Sequence, residues 1–210
     1  PNTKLIFGEV VGNPGLDIMD VDAVGKIADE AGIPLILDAT FNTPYLLKPL
    51  EHGASIIVHS LTKWIGGHGI AIGGAVLDGG RFDWGASDKF PTIASPHYAM
   101  DGINFYEEFG PTAMTAKLRA EMMYNFGPCL SPTNAFHLLQ GIETLPLRMQ
   151  RHIENTDALL AYLSAHDDVA WVRHPHLESH PQHELAKRLM PKGAGSIITF
   201  GVKGGRDAGQ

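Results

Sequence analysis

Three short apolar runs, each leading to a polar side chain, constrain this chain more than any other feature. Lys4-Leu5-Ile6-Phe7 leads to Glu9, Pro34-Leu35-Ile36-Leu37 ends at Asp38, and Ser55-Ile56-Ile57-Val58 leads through His59 to Ser60. Unbroken apolar runs of this length are typical of strands covered on both faces, as in a parallel sheet. Between the first two, Val21, Val24, Ile27, Ala28 and Ala31 fall at helical spacing, with Asp20 placed to cap the helix and Gly32 to stop it. Strand, helix and strand make a βαβ unit, and an α/β fold with a mainly parallel sheet and flanking helices is expected. Gly69 to Leu77, with Gly69, Gly73 and Gly74 among Ala, Ile and Val, reads as a further strand or a pair of short ones.

Residues 79 to 112 hold Phe82, Trp84, Phe90, Tyr98, Phe105, Tyr106 and Phe109 with weak periodicity, and read as a long surface loop. Helix is expected from Met114 to Tyr124, and again from Ser131 as cap and Pro132 in the first turn onward to Leu145. Pro146 should kink or break that helix before residues 148 to 165 continue in helical register. Val169 to Val172 and Ser196 to Val202 read as strands flanking a helix near Pro181 to Leu189. The expected division is residues 1–145 as part of a large domain and 146–210 as the start of a smaller C-terminal α/β domain. Pro1 in place of Met and a strand-like run at once after it suggest an interior piece of a longer protein.

Charge narrows the partners. Sixteen Lys and Arg against 23 Asp and Glu give a net charge of −7, which argues against nucleic acid or an anionic membrane as the main partner. No apolar run approaches the roughly 20 residues that cross a bilayer. Cys129 is the single cysteine, so no disulfide forms within the chain and a reduced, cytoplasmic setting is expected.

Ligands of parallel α/β sheets bind beyond the carboxyl ends of the strands, where this chain places an acid, an amide, hydroxyls and a lysine. Pyridoxal 5′-phosphate asks for that set: a lysine amine to condense with its aldehyde, a carboxylate to keep its ring nitrogen protonated, and hydroxyls for its phosphate. Lys63 is the candidate amine, Asp38 the partner of the ring nitrogen, and Asn13 a donor to the phenolic oxygen. Ser60 and Thr62 flank Leu61, and on extended backbone they would leave on one face and share the phosphate. Thr40, two residues after Asp38, lies on the same side of its strand end. Taken singly, Lys63 reads as a solvated loop lysine and Asn13 before Pro14 as a turn residue. Gly66-Gly67-His68-Gly69 follows the lysine and gives the backbone room beside a cofactor.

Four strings carry a resemblance: GEVVGNP (Gly8 to Pro14), LDATFNTP (Leu37 to Pro44), VHSLTKWIGGHG (Val58 to Gly69) and SPTNAFHLLQGIETLPLRMQRH (Ser131 to His152). In order and spacing they resemble the cystathionine γ-synthase-like family of pyridoxal-phosphate enzymes over nearly the whole chain. The resemblance implies a PLP-dependent transferase of fold type I, a homotetramer of two close dimers, and the roles given above to Lys63, Asp38, Ser60, Thr62 and Asn13. Phe82 to Pro128 and the ending KGAGSIITFGVKGG are similar to the O-acetylhomoserine sulfhydrylases of that family, which implies γ-replacement of acetate by sulfide in methionine biosynthesis. Ala39 and Asn42 depart from the family's more common Asn and Ala. The resemblance also implies an aromatic side chain and phosphate-binding N–H groups from before Pro1, and a carboxylate-binding arginine from after Gln210. Neither Arg148 nor Arg151, on the connecting helix, nor Arg206 takes that last role.

The same residues admit other readings. Eleven histidines, four of them at His174, His176, His180 and His183, raise a zinc site, but proline interrupts them and no ligand spacing is recognisable, so they read as a polar surface loop. No G-x-x-x-x-G-K-[ST] and no G-x-G-x-x-G after the first strand is present, which removes the P-loop and Rossmann readings. A γ-elimination enzyme of the same family, acting on methionine or cystathionine, is the nearest alternative, because Lys63 and Asp38 serve both chemistries. A truncated chain kept only for assembly is the non-enzyme alternative.

Overall fold

The Asp20 carboxylate accepts the Ala23 N–H at 3.2 Å, and Gly32, at φ 59°, returns its N–H to the carbonyls of Ala28 and Asp29. Between them α1 runs over Val21–Ala31, with both ends where local capping chemistry puts them. In the computed structural model, which describes residues 2–209, this helix lies between β1 (Ile6–Glu9) and β2 (Leu35–Asp38). A short helix α2 (Thr43–Leu46) and a 3-10 turn (Pro49–His52) lead on to β3 (Ile56–Ser60), and β4 (Gly74–Asp78) follows. The four strands form one sheet in the order β1-β2-β3-β4, parallel across the first two pairs and antiparallel between β3 and β4. Only Gly74 onward of the stretch expected to form a strand from Gly69 does so, paired with Ser60 at its start.

Beyond the sheet come α3 (Pro91–Ala94), α4 (Phe105–Phe109) and α5 (Ala113–Lys117), the last continuing through π-helical Leu118–Met123 into α6 (Tyr124–Phe126). Helices α7 (Pro132–Glu143) and α8 (Leu145–Ala165) are separated at Thr144, two residues before Pro146, which sits in the first turn of α8, where a missing N–H leaves no helical bond unmade. Strand β5 (Val169–Arg173) pairs antiparallel with β6 (Thr199–Val202) around α9 (His183–Leu189), and α10 (Gly205–Ala208) closes the described chain.

Alternation along β2 and β3 assigns the two faces of the sheet. Leu35, Leu37 and Ile57 join Val21 and Ala28 of α1, Leu145, Met149 and Ile153 of α8, and Ala186 and Leu189 of α9 in one core. Ile36 and Ile56 face the other way, onto Trp84, Ile93, Phe105 and Ala113. The expected surface loop over residues 79–112 is therefore corrected: Trp84 is 3% and Phe105 2% exposed, and Phe82, Trp84 and Phe90 meet edge to face at 4.8–5.3 Å. Aromatics so spaced cover a sheet face without helical periodicity, because short helices and turns deliver them one at a time.

The histidine-rich stretch is also not a surface loop throughout. His174 and His180 are buried, and the Nδ1 of each accepts the backbone N–H two residues on, from His176 and Gln182. Each ring closes a tight turn and rests in the interior behind it. Burial, and then the neighbouring His176, pushes the His174 imidazole down to about 4.

Candidate functional site

Parallel register sets Glu9 opposite Asp38 and Asp38 opposite Val58, so three strand ends form one rim, with Ser60 two residues further along β3. Asp38 is half-buried there, and its Oδ1 accepts the Thr40 N–H at 2.8 Å. The Thr40 hydroxyl in turn accepts the Ser60 N–H at 2.8 Å. A short polar chain thus joins the end of β2 to the end of β3, using the local preference of an aspartate for the N–H two residues on.

His59 lies on the opposite side of β3 from Ser60, sharing a face with Ile57, and is 5% exposed. Burial holds its imidazole below the usual range, with the Asp38 carboxylate and the Ala39 backbone partly opposing. It therefore stays neutral beside the carboxylate at neutral pH.

The backbone after Ser60 is not extended as the sequence suggested. Residues 61–66 turn, with Lys63 N–H donating to Ser60 O at 3.3 Å, Gly66 N–H to Leu61 O at 2.8 Å and Gly67 N–H to Lys63 O at 2.8 Å. Leu61 packs against the core on α1's side of the sheet, the face it shares with Ile57 and His59. Ser60 presents its hydroxyl from a strand end and Thr62 from the following turn, where its Oγ1 accepts the Gly73 N–H at 3.1 Å. Lys63 is exposed, and among the described residues its amine enters no hydrogen bond or ion pair.

Asn13 stands at the edge of this group. It is exposed, its N–H donates to Glu9 Oε2 at 3.0 Å, and among the described residues no hydrogen bond joins it to Asp38, Ser60 or Lys63. Its loop is held from the C-terminal side, where Thr199 Oγ1 donates to Pro14 O at 2.8 Å and the Arg173 guanidinium donates to Gly15 O.

Two residues of this region were not singled out from sequence. His59 sits beside Asp38, and only its place before Ser60 in a strand could have marked it. Arg148 donates to the carbonyls of Trp64 at 2.7 Å and Ile65 at 3.1 Å, 84 and 83 residues upstream, a pairing with no local signal.

A carboxylate with a free oxygen, two hydroxyls and an unpaired amine lie at or just beyond these strand ends, with the Asn13 amide at their edge, and these are the kinds of group that pyridoxal phosphate needs. Comparison with known proteins agrees with it. A family model described as Cys/Met metabolism PLP-dependent enzyme matches residues 1–210. The homocysteine synthase of Schizosaccharomyces pombe is 45% identical over 208 residues, which are 98% of this chain and 48% of that protein. The O-acetyl-L-homoserine sulfhydrylase of Leptospira meyeri is 43% identical over 212 residues, covering 97% of this chain and 48% of that protein. Among solved structures, a chain from Campylobacter jejuni assigned as O-acetylhomoserine (thiol)-lyase, carrying N′-pyridoxyl-lysine-5′-monophosphate, superposes with a TM-score of 0.91 at 33% identity. The match covers 96% of this chain and 49% of that one. The chain spans about half the length of the curated relatives it matches, 48% of each of the two named here.

Proposed function

The chain belongs to the Cys/Met metabolism PLP-dependent enzyme family, and from that premise we propose that it works as an O-acetylhomoserine sulfhydrylase, converting O-acetyl-L-homoserine and sulfide to L-homocysteine and acetate. Its fold is that of the fold type I PLP-dependent transferases. The observation that carries the reading is the chain of hydrogen bonds from Asp38 through Thr40 to Ser60, with the unpaired Lys63 amine three residues on.

In this reading Lys63 Nζ holds the cofactor through its aldehyde carbon. Bound pyridoxal phosphate supplies a sink for the electron pair left at the substrate's Cα. Asp38 would keep a proton on the ring nitrogen, and the Ser60 and Thr62 hydroxyls would donate to the phosphate, Thr62 turning its proton from Gly73 O to do so. Asn13 donates to the phenolic oxygen, while Thr40 orients Asp38 and Ser60. With substrate bound, Lys63 Nζ would take protons from Cα and Cβ and return them. The C–O bond at Cγ breaks to release acetate, and the C–S bond forms at the same carbon.

Sulfide as the second substrate rests on the names of the relatives, two of which are a homocysteine synthase and an O-acetyl-L-homoserine sulfhydrylase. A homotetramer is part of the proposal, supported by exposed apolar side chains such as Ile72, Leu139 and Phe136 that a second copy would cover. Among the described residues no helix is long and apolar enough to cross a membrane, and the lone, exposed Cys129 supports a cytoplasmic setting. Residues 1–145 are read as part of the cofactor-binding domain and 146–210 as the start of a C-terminal domain.

The test is an assay of the holoenzyme with O-acetyl-L-homoserine plus sulfide, run beside methionine alone. Steady homocysteine and acetate are expected. Production of α-ketobutyrate from methionine, with no homocysteine from the ester and sulfide, would replace this reading by γ-elimination.

A further inference from the structure

The turn that carries Lys63 is gripped from outside by one side chain. Arg148 donates from Nη1 to Trp64 O at 2.7 Å, and from Nη2 to Ile65 O at 3.1 Å and Gly141 O at 2.7 Å. Its Nε donates to Thr144 Oγ1 at 3.0 Å, and that hydroxyl donates to Gly141 O at 3.2 Å. The guanidinium thereby joins the end of α7, the start of α8 and the two residues directly after the lysine.

Two independent contacts press the same turn onto the same helices. A Cβ on Gly141 would stand 2.7 Å from Ile65 O, and one on Gly66 would stand 2.6 Å from Leu61 O and 2.9 Å from Leu138 Cδ2, so α7 and the turn meet backbone to backbone. One helical turn beyond Arg148, His152 meets the Trp64 ring edge to face at 5.0 Å. Residue 64 is therefore held through its carbonyl by Arg148 and through its ring by His152, side chains on one face of α8.

We propose that Arg148 is a positioning residue that sets the direction of the Lys63 amine by locking the carbonyls of the turn behind it. The proposal rests on the reading of Lys63 as the cofactor's anchor. The turn's own hydrogen bonds link Lys63 to Ser60 and Gly67, so a shift at Trp64 and Ile65 moves the amine against the strand ends that hold Asp38 and Ser60. A planar fork satisfies three carbonyls in different directions, and a lysine ammonium at the end of a flexible stem does not reproduce that.

The test compares the holoenzyme with its Arg148→Gln, Arg148→Lys and Thr144→Val variants, reading kcat per cofactor-loaded subunit, KM, melting temperature and the pH titration of the bound cofactor's absorbance. Arg148→Gln is expected to lower kcat about 100-fold with KM little changed, as misplacement by an ångström does, and to move the midpoint of the titration. Arg148→Lys should recover melting temperature without recovering kcat or the midpoint. Thr144→Val keeps the guanidinium and removes the hydroxyl that accepts from its Nε and donates to Gly141 O, so it should fold and show the same changes in smaller measure, even where the Arg148 variants do not fold. Loaded variants that melt earlier but keep wild-type kcat and midpoint would make Arg148 a helix cap only and overturn the proposal. A reduced cofactor label found on another lysine of the wild type would instead overturn the reading of Lys63.

Discussion

The Thr40 hydroxyl accepts the backbone N–H of Ser60 at 2.8 Å, spanning two adjacent strand ends. Thr40→Val keeps the shape of the side chain but removes the acceptor, leaving a half-buried N–H unpaired. The expected cost is about 1–3 kcal/mol of stability, with weaker cofactor retention, and Thr40→Ser should recover both. Equilibrium unfolding and dialysis against cofactor-free buffer measure the two effects, and an unchanged Thr40→Val would make the bridge incidental.

Asp38→Asn is nearly isosteric, and its side-chain oxygen can still accept the Thr40 N–H that Asp38 Oδ1 accepts at 2.8 Å. The amide carries no charge to hold a proton on the cofactor's ring nitrogen. Turnover of the loaded enzyme should drop on the order of 100-fold or more, the range seen when one electrostatic partner of a transition state is lost. Cofactor binding should fall less than kcat, and near-normal kcat would make Asp38 a structural acid.

Stability should fall on acidification through His174. Its imidazole is fully buried and held at about 4, against an ordinary 6.5, so between these values the unfolded chain binds the proton that the folded chain refuses. The contribution is whole above about pH 6.5, shrinks as pH falls to about 4, and amounts to at most about 3 kcal/mol. Urea unfolding at a series of pH values should show this slope in the wild type and a shallower one in His174→Gln. Equal slopes would place the acid sensitivity elsewhere.

What was legible in the sequence was what local chemistry decides. The ends of α1 follow from Asp20 and Gly32, and the rim from apolar strands that stop at Asp38 and Ser60. The period of two misled at Ser60 and Thr62, because it holds only while a strand continues, and here the strand ends at Ser60 and the chain turns from residue 61. Trp84 and Phe105 were not legible as core because the face they cover, Ile36 and Ile56, belongs to strands far earlier in the chain. Arg148 was passed over for a similar reason: its acceptors are backbone carbonyls, which carry no sequence signature.

Borohydride reduction of the holoenzyme, followed by peptide mapping, tests the central claim most directly. Reduction makes the lysine–cofactor bond permanent, and the label is predicted on the peptide containing Lys63, with Lys63→Ala taking up none. A label on any other lysine, or undiminished labelling of Lys63→Ala, would contradict the assignment of this rim as the cofactor site.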